Sequence, residues 1–188
     1  MHTGRSGRGA LVRRRIPEAI LKIFYRFEDW YESNKDRDDQ NGIRARRLRE
    51  QFEEQGRYGE HGVILMDTVP NKKLHKELAT SRALVYTCEP KEFTEGFSVS
   101  VMDACAAGCP AIISDADALG EIYRDAAQII PGLPSHGLEF WADTICRVLT
   151  DDAFAAQLSE KGKIHARKYD RPVIARQWER FLARNIKH

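Results

Sequence analysis

The sequence predicts an α/β protein built on an open, doubly wound parallel sheet. Short apolar, strand-forming runs alternate with amphipathic helical stretches from residue 19 to residue 170, the alternation expected of parallel strands joined by crossover helices. Several of these runs are continuously apolar, as strands covered on both faces should be. A strand ending at Thr87 feeds a glycine-containing loop that opens onto a short helix within residues 94–114, which places unpaired backbone N–H groups and a helix dipole at one edge of the sheet. No internal repeat or linker divides the chain. Residues 1–15 are expected to be a basic, poorly ordered segment, and residues 16–188 one domain ending in a helix.

Taken in order, the opening MHTGRSGRGALVRRR holds five arginines and no acid. Gly4, Gly7 and Gly9 interrupt it, so order is expected only from about Ala10. Ala19 to Phe27 reads as a two-sided strand. Asp29 to Asn41, charged and turn-rich, reads as an exposed loop. Gly42 to Gln55 reads as a helix with Ile43, Leu48 and Phe52 as its apolar stripe, ended by Gly56. Its arginines 44, 46, 47 and 49 are balanced by Glu50, Glu53 and Glu54, a solvated helix face.

Gly62 to Met66 is a short buried strand. Val69-Pro70-Asn71 turns the chain, Asn71 caps, and Leu74, Leu78 and Ala79 form the inner face of the next helix. His75, flanked by lysine-rich sequence on that helix, reads as a surface residue. Ala83 to Thr87 is the strand entering the central loop. Ser98 offers a cap hydroxyl where Val99, Met102, Cys105 and Ala106 begin helical spacing. Gly108 suits a left-handed terminus and Pro110 forbids continuation. Asp115 to Leu119 is an acidic loop at the carboxyl end of a strand, the edge where open α/β sheets bind ligands. Gln128 to Ile130 is the last strand, Leu138 to Leu149 and Ala153 to Tyr169 are amphipathic helices, and Val173 to Asn185 is the final one.

Composition excludes several functions. A net charge of +2 with 31% charged residues gives no global field for nucleic acid. No run of eighteen apolar residues and no signal-peptide pattern is present, so no transmembrane segment is expected and the location is expected to be cytoplasmic. Cys88, Cys105, Cys109 and Cys146 form no CxxC pair. Cys105 and Cys109, in a small-residue helix and its exit turn, read as reduced, buried thiols rather than metal ligands, and no metal or cofactor is expected. GRSGRG at residues 4–9 follows no strand, which excludes a dinucleotide-binding fingerprint.

Two carboxylates flank the central loop: Glu95 within it and Asp103 eight residues later in an apolar, small-residue helix. Asp103 lies more than one turn in, so it either meets a partner or occupies the helix's one exposed edge. The segment EGFSVSVMDACAAGCPAIIS resembles the signature of GT-B retaining glycosyltransferases, in particular glycosyltransferase family 4, a glutamate, seven residues and a second glutamate. VPNKKLHKELATSRALVY upstream resembles the family's VP turn, amphipathic helix and strand. The likeness covers residues 60–170 well and residues 1–59 weakly.

The resemblance implies the Rossmann-like, donor-binding C-terminal half of a two-domain enzyme that transfers a hexose from an NDP-sugar to an acceptor. Carried over residue by residue, Glu95 is the catalytic candidate and approaches the sugar hydroxyls. The N–H groups of Gly96, Phe97 and Ser98 face sugar and diphosphate, and Asp103 binds the ribose hydroxyls. Arg8, in a loose match to the family's glycine-plus-basic stretch, neutralises the diphosphate. Asp103 departs from the expected glutamate by one methylene, which shifts its reach to both hydroxyls. The DADAL loop stands where the family is usually glycine-rich. The resemblance also implies a missing acceptor-binding half, and an opening without the first strand reads as that of a fragment, catalytically incompetent or nearly so alone.

The final helix carries Ile174, Trp178, Phe181 and Leu182 at helical spacing, a stripe expected to be covered by this domain, an N-terminal acceptor domain or a second copy of the chain. The alternative readings are a partner-dependent subunit, or a non-catalytic interaction module that keeps the fold.

Overall fold

A computed structural model describes residues 8–54, 62–88, 96–132 and 137–186. The chain divides into two compact units, Met1–Lys73 and Leu74–His188, and every strand pairing among the described residues is parallel.

The first unit runs α1 (Arg8–Arg15), β1 (Leu21–Ile23), α2 (Phe27–Asn34), α3 (Gln40–Glu54) and β2 (Val63–Leu65). β1 and β2 pair with Leu21 opposite Val63 and Ile23 opposite Leu65. From Arg8 onward the basic N-terminal segment is helical, with Leu11 and Val12 buried. Residues 1–7 lie outside the described residues.

β1 is shorter and less covered than the two-sided strand expected over residues 19–27. Ile20, Leu21 and Tyr25 are exposed, and Phe27 has left the strand to start α2. The expected loop over residues 29–41 is largely this helix. Its aromatic residues, Phe27, Trp30 and Tyr31, fall three and four apart, so they share one helix face, and Glu28 and Asp29 in the first turn suit the helix dipole. Phe27 is buried and meets Phe52 edge-on at a centroid distance of 4.9 Å.

The inward face of α3 also differs from the expected stripe. Ile43 is exposed, and Ala45 is fully buried instead. Arg49 is not part of a solvated face: its guanidinium lies 4.0 Å from the Tyr31 ring centroid and 2.6 Å from Glu28 Oε2. A planar cation stacked on an aromatic face and bonded to a carboxylate is well compensated on leaving water. The expected stop at Gly56 lies outside the described residues.

The second unit follows α4 (Asn71–Thr80), which contains the division, with β3 (Leu84–Tyr86), α5 (Val99–Ala107), β4 (Ala111–Ser114), α6 (Leu119–Ile122) and β5 (Gln128–Ile130), then α7 (Leu138–Thr150), α8 (Asp152–Arg167) and α9 (Arg171–Asn185). α4 starts at Asn71 itself, with Pro70 accepting the Lys73 N–H, so Asn71 is the first helical residue rather than the cap. The sheet order is β3-β4-β5. All four residues of β4 are buried, which explains a strand apolar on both faces.

The core joins Val101 and Cys105 of α5 to Ala111 and Ile113 of β4, Leu119 of α6, Tyr123, Ala126 and Ala166. Leu78 of α4 packs with Ala104 and Cys109, and Leu74 lies against them. Burial pushes the thiols of Cys105 and Cys109 up to about 11, so both behave as small apolar groups.

Two core features generate predictions. Gly108 ends α5 at φ +73° and its N–H donates to Cys105 O. Gly108→Ala, forced into the left-handed region, is expected to cost about 1–2 kcal/mol, read as a lower urea midpoint with an unchanged slope. His165 on α8 is buried, and neither ring nitrogen has a hydrogen-bond partner among the described residues. Burial lowers its pKa; Lys168 adds to the lowering and Asp125 opposes it. The native state therefore resists a proton that the unfolded chain accepts below its usual value of about 6.5. Stability from this group is full above that value and falls as the pH drops through it toward the native pKa. His165→Phe, which keeps a ring and removes the titrating nitrogens, should show a smaller fall in Tm between pH 7.5 and pH 5.5 than the parent; an equal fall would refute the assignment.

Candidate functional site

The turn that enters α5 is formed by local chemistry. Ser98 is extended at φ −81°, ψ 112°, and its Oγ accepts the Val101 N–H at 3.5 Å. Its carbonyl accepts the Met102 N–H at 3.1 Å, the first bond of the helix. Among the described residues no partner is found for the N–H groups of Val99 and Ser100, as expected of a first helical turn, and both residues are exposed. No lysine or arginine lies on α5. The turn therefore presents the positive end of a helix dipole, suited to a diphosphate.

Gly96 is exposed, and a Cβ placed on it meets no heavy atom within 4 Å. Phe97 is 46% exposed, while Ser98 is buried. Of the sequence candidates, Gly96, Phe97 and Ser98 are thus consecutive in one turn, with Asp103 one helical turn beyond on α5. Glu95 lies outside the described residues. Arg8 opens α1 in the first unit.

Asp103 has both features weighed from the sequence, partial exposure and a partner. Its side chain is 32% exposed and one carboxylate oxygen stands 3.6 Å from Nε2 of His75 on α4. His75 is an exposed residue, as expected, yet it faces the candidate site. Only the packing of α4 beside α5 reveals this, because 28 positions separate the two residues.

The neighbouring strand ends are tied to the same edge. Ser114, at the end of β4, is buried and accepts the Cys88 N–H at 2.8 Å, which fixes the start of the loop after β3. In the acidic loop, Asp115 donates its N–H to Ile130 O. Its carboxylate fills the space that a Cβ would need at Gly120, so that charge is turned toward α6. Asp117 has φ +47°, a left-handed conformation that aspartate adopts more readily than most residues.

Sequence reasoning missed the residue that supports this turn from beneath. Tyr123 is fully buried, and its hydroxyl donates to Ser98 O at 2.7 Å. The Phe97 ring lies 6.3 Å from Tyr123 and 5.3 Å from Tyr169, and His165 lies 5.5 Å from Tyr123 and 5.3 Å from Tyr169. Leu119, Ile122, Tyr123 and Ala126 follow helical apolar spacing, a signal that marks α6 and its inward tyrosine.

Comparison with known proteins gives a family. The family described as "Glycosyl transferases group 1" matches residues 40–151, more than half of the chain. A phosphatidyl-myo-inositol mannosyltransferase of Mycobacterium leprae is 33% identical over 104 residues, 54% of this chain and 27% of that protein. Among solved structures, a sucrose-phosphate synthase of Thermosynechococcus elongatus superposes with a TM-score of 0.61 at 19% identity, covering 93% of this chain and 48% of that one. An alpha,alpha-trehalose-phosphate synthase (UDP-forming) of Burkholderia vietnamiensis gives 0.58 at 14%, covering 93% and 47%. At these identities the superpositions speak for fold alone. The chain spans about a quarter of that curated relative and about half of those solved structures. Among the described residues no helix is long and apolar enough to cross a membrane. The chain belongs to the group 1 glycosyl transferases, and its parallel α/β architecture is that of the Rossmann-like half of a GT-B enzyme.

Proposed function

We propose that this chain is the nucleotide-sugar-binding domain of a retaining glycosyltransferase that moves a hexose from an NDP-sugar to an acceptor held by another domain or chain. The observation that carries it is the capped turn at residues 96–100, which presents free N–H groups beside a half-exposed carboxylate at Asp103. The family supports the same reading, as do the mannosyltransferase relative and the UDP-forming synthase among the structural neighbours.

In this reading the amides at the start of α5 and its dipole stabilise the charge that gathers on the departing diphosphate. Such preorganised donors do not reorient during the reaction, and they act more strongly where bound sugar excludes water. Glu95 contacts the sugar hydroxyls as the catalytic candidate, and Asp103 accepts from the ribose hydroxyls. His75 Nε2, 3.6 Å from the Asp103 carboxylate, helps to orient it. No metal or cofactor takes part, and the location is cytoplasmic, a compartment in which four unpaired cysteines stay reduced.

The partner-dependent form of this reading is favoured by α9. None of its residues is buried, and Trp178, Phe181 and Leu182 are 59%, 55% and 43% exposed. An N-terminal acceptor domain or a second copy of the chain would cover that face.

Calorimetric titration of the chain with UDP, GDP, ADP and their glucose and mannose conjugates tests the donor site. One nucleotide series should bind. Affinity should fall at least tenfold in Glu95→Ala/Asp103→Ala, since hydrogen bonds to charged groups contribute about 1.5–3 kcal/mol each. Gly96→Ala meets no neighbouring atom within the described chain, so it should keep the parent Tm and weaken binding only through the ligand. Absence of binding by the parent would instead leave a non-catalytic module with this fold.

A further inference from the structure

We infer that Tyr123 is a positioning residue that fixes the Gly96–Ser98 turn in its ligand-ready geometry from the side opposite the ligand. Its hydroxyl donates to Ser98 O at 2.7 Å, and that carbonyl also accepts the Met102 N–H at 3.1 Å. Both lone pairs of one carbonyl oxygen are thereby engaged. Helical hydrogen bonding fixes the carbonyl along the axis, and the tyrosine fixes it from the side. The peptide plane joining Ser98 to Val99 is then held by two donors, and the N–H on that same plane is one of the two left free at the start of α5. Rotation of the plane would swing the free N–H away from the ligand side.

The contact is dry and geometrically constrained. Tyr123 is fully buried and Ser98 nearly so, so a hydroxyl lost here is not replaced by water at full strength. The same tyrosine ring meets Phe97, whose other neighbour is Tyr169 at the end of α8. One residue thus supports two successive positions of the turn, through a hydrogen bond at residue 98 and a ring contact at residue 97. At Gly96 a Cβ would meet no heavy atom of the described residues within 4 Å. Tyr123 touches neither sugar nor phosphate in this arrangement. Its effect on the turn passes through Ser98 and Phe97.

Given the donor-site reading above, the consequence is a specific loss in Tyr123→Phe, which keeps the ring and removes the hydroxyl. Amide hydrogen exchange over residues 96–102 is measured in the full chain without ligand, and nucleotide-sugar affinity is measured by titration with UDP-glucose and GDP-mannose. Ile145→Val on α7, a core change of similar size away from the turn, serves as the control. Tyr123→Phe should speed exchange in the 96–102 peptide roughly five- to tenfold, the factor matching one lost hydrogen bond, and weaken the sugar nucleotide by a similar factor. The control should move neither.

Unchanged exchange at residues 96–102 in Tyr123→Phe would overturn the inference, whatever the ligand does. Faster exchange with undiminished affinity in a chain that binds the donor would overturn the positioning role alone. Failure of the parent chain to bind either sugar nucleotide would overturn the donor-site reading and, with it, the ligand half of this inference.

Discussion

The second unit depends on the close approach of α5 and α8. Gly162 of α8 has no side chain, and the position its Cβ would take is only 3.3 Å from the Cys105 Cα and 3.4 Å from the sulfur. Interiors packed this tightly have no room for an added methyl without displacement. The small residues of α5 serve the same end: Ala104 and Cys105 are buried against neighbours on two sides. With the helices so close, α8 carries His165 and Tyr169 up to Tyr123 and Phe97, and the entrance of α5 becomes the best supported part of the ligand edge. The apolar character of α5, unusual for a helix that starts at the surface, follows from this sandwiched position.

The same turn illustrates how a fold offers an anion site without a cluster of cations. Parallel strands end at one edge, the helices that follow them begin there, and their N-terminal amides point outward. Ser98 uses its hydroxyl for Val101 and its carbonyl for Met102 and Tyr123, which in the proposed donor site leaves the Val99 and Ser100 amides for the ligand. Nearby acids do not cancel that field indiscriminately. Asp115 is turned against Gly120, and Asp103 faces His75.

α9 obeys a different constraint. Trp178 and Phe181 contact each other edge-on but remain more than half exposed, and burial of such rings is worth several kcal/mol where a surface accepts them. In the proposed partner-dependent reading, this helix is where a second domain or chain would associate.

The sequence by itself determined the features that depend on residues within about one turn of each other. The Ser98 cap, the left-handed Gly108, the short strand after Pro110 and the alternation of strands and helices in the second unit were all legible, because caps, glycine conformations and short apolar runs are local physics. The family resemblance was legible for the same reason, its signature being one continuous segment. α2 was misread because charged residues masked an aromatic face that only Phe52 and Arg49, from α3, make into a core. The tertiary structure alone decided that Arg49 stacks inside rather than in solvent, that His75 faces Asp103, and that Tyr123, 25 positions from Ser98, holds its carbonyl. Each of these joins separate elements, and their meeting is set by how helices with small residues pack, which no short window of sequence contains.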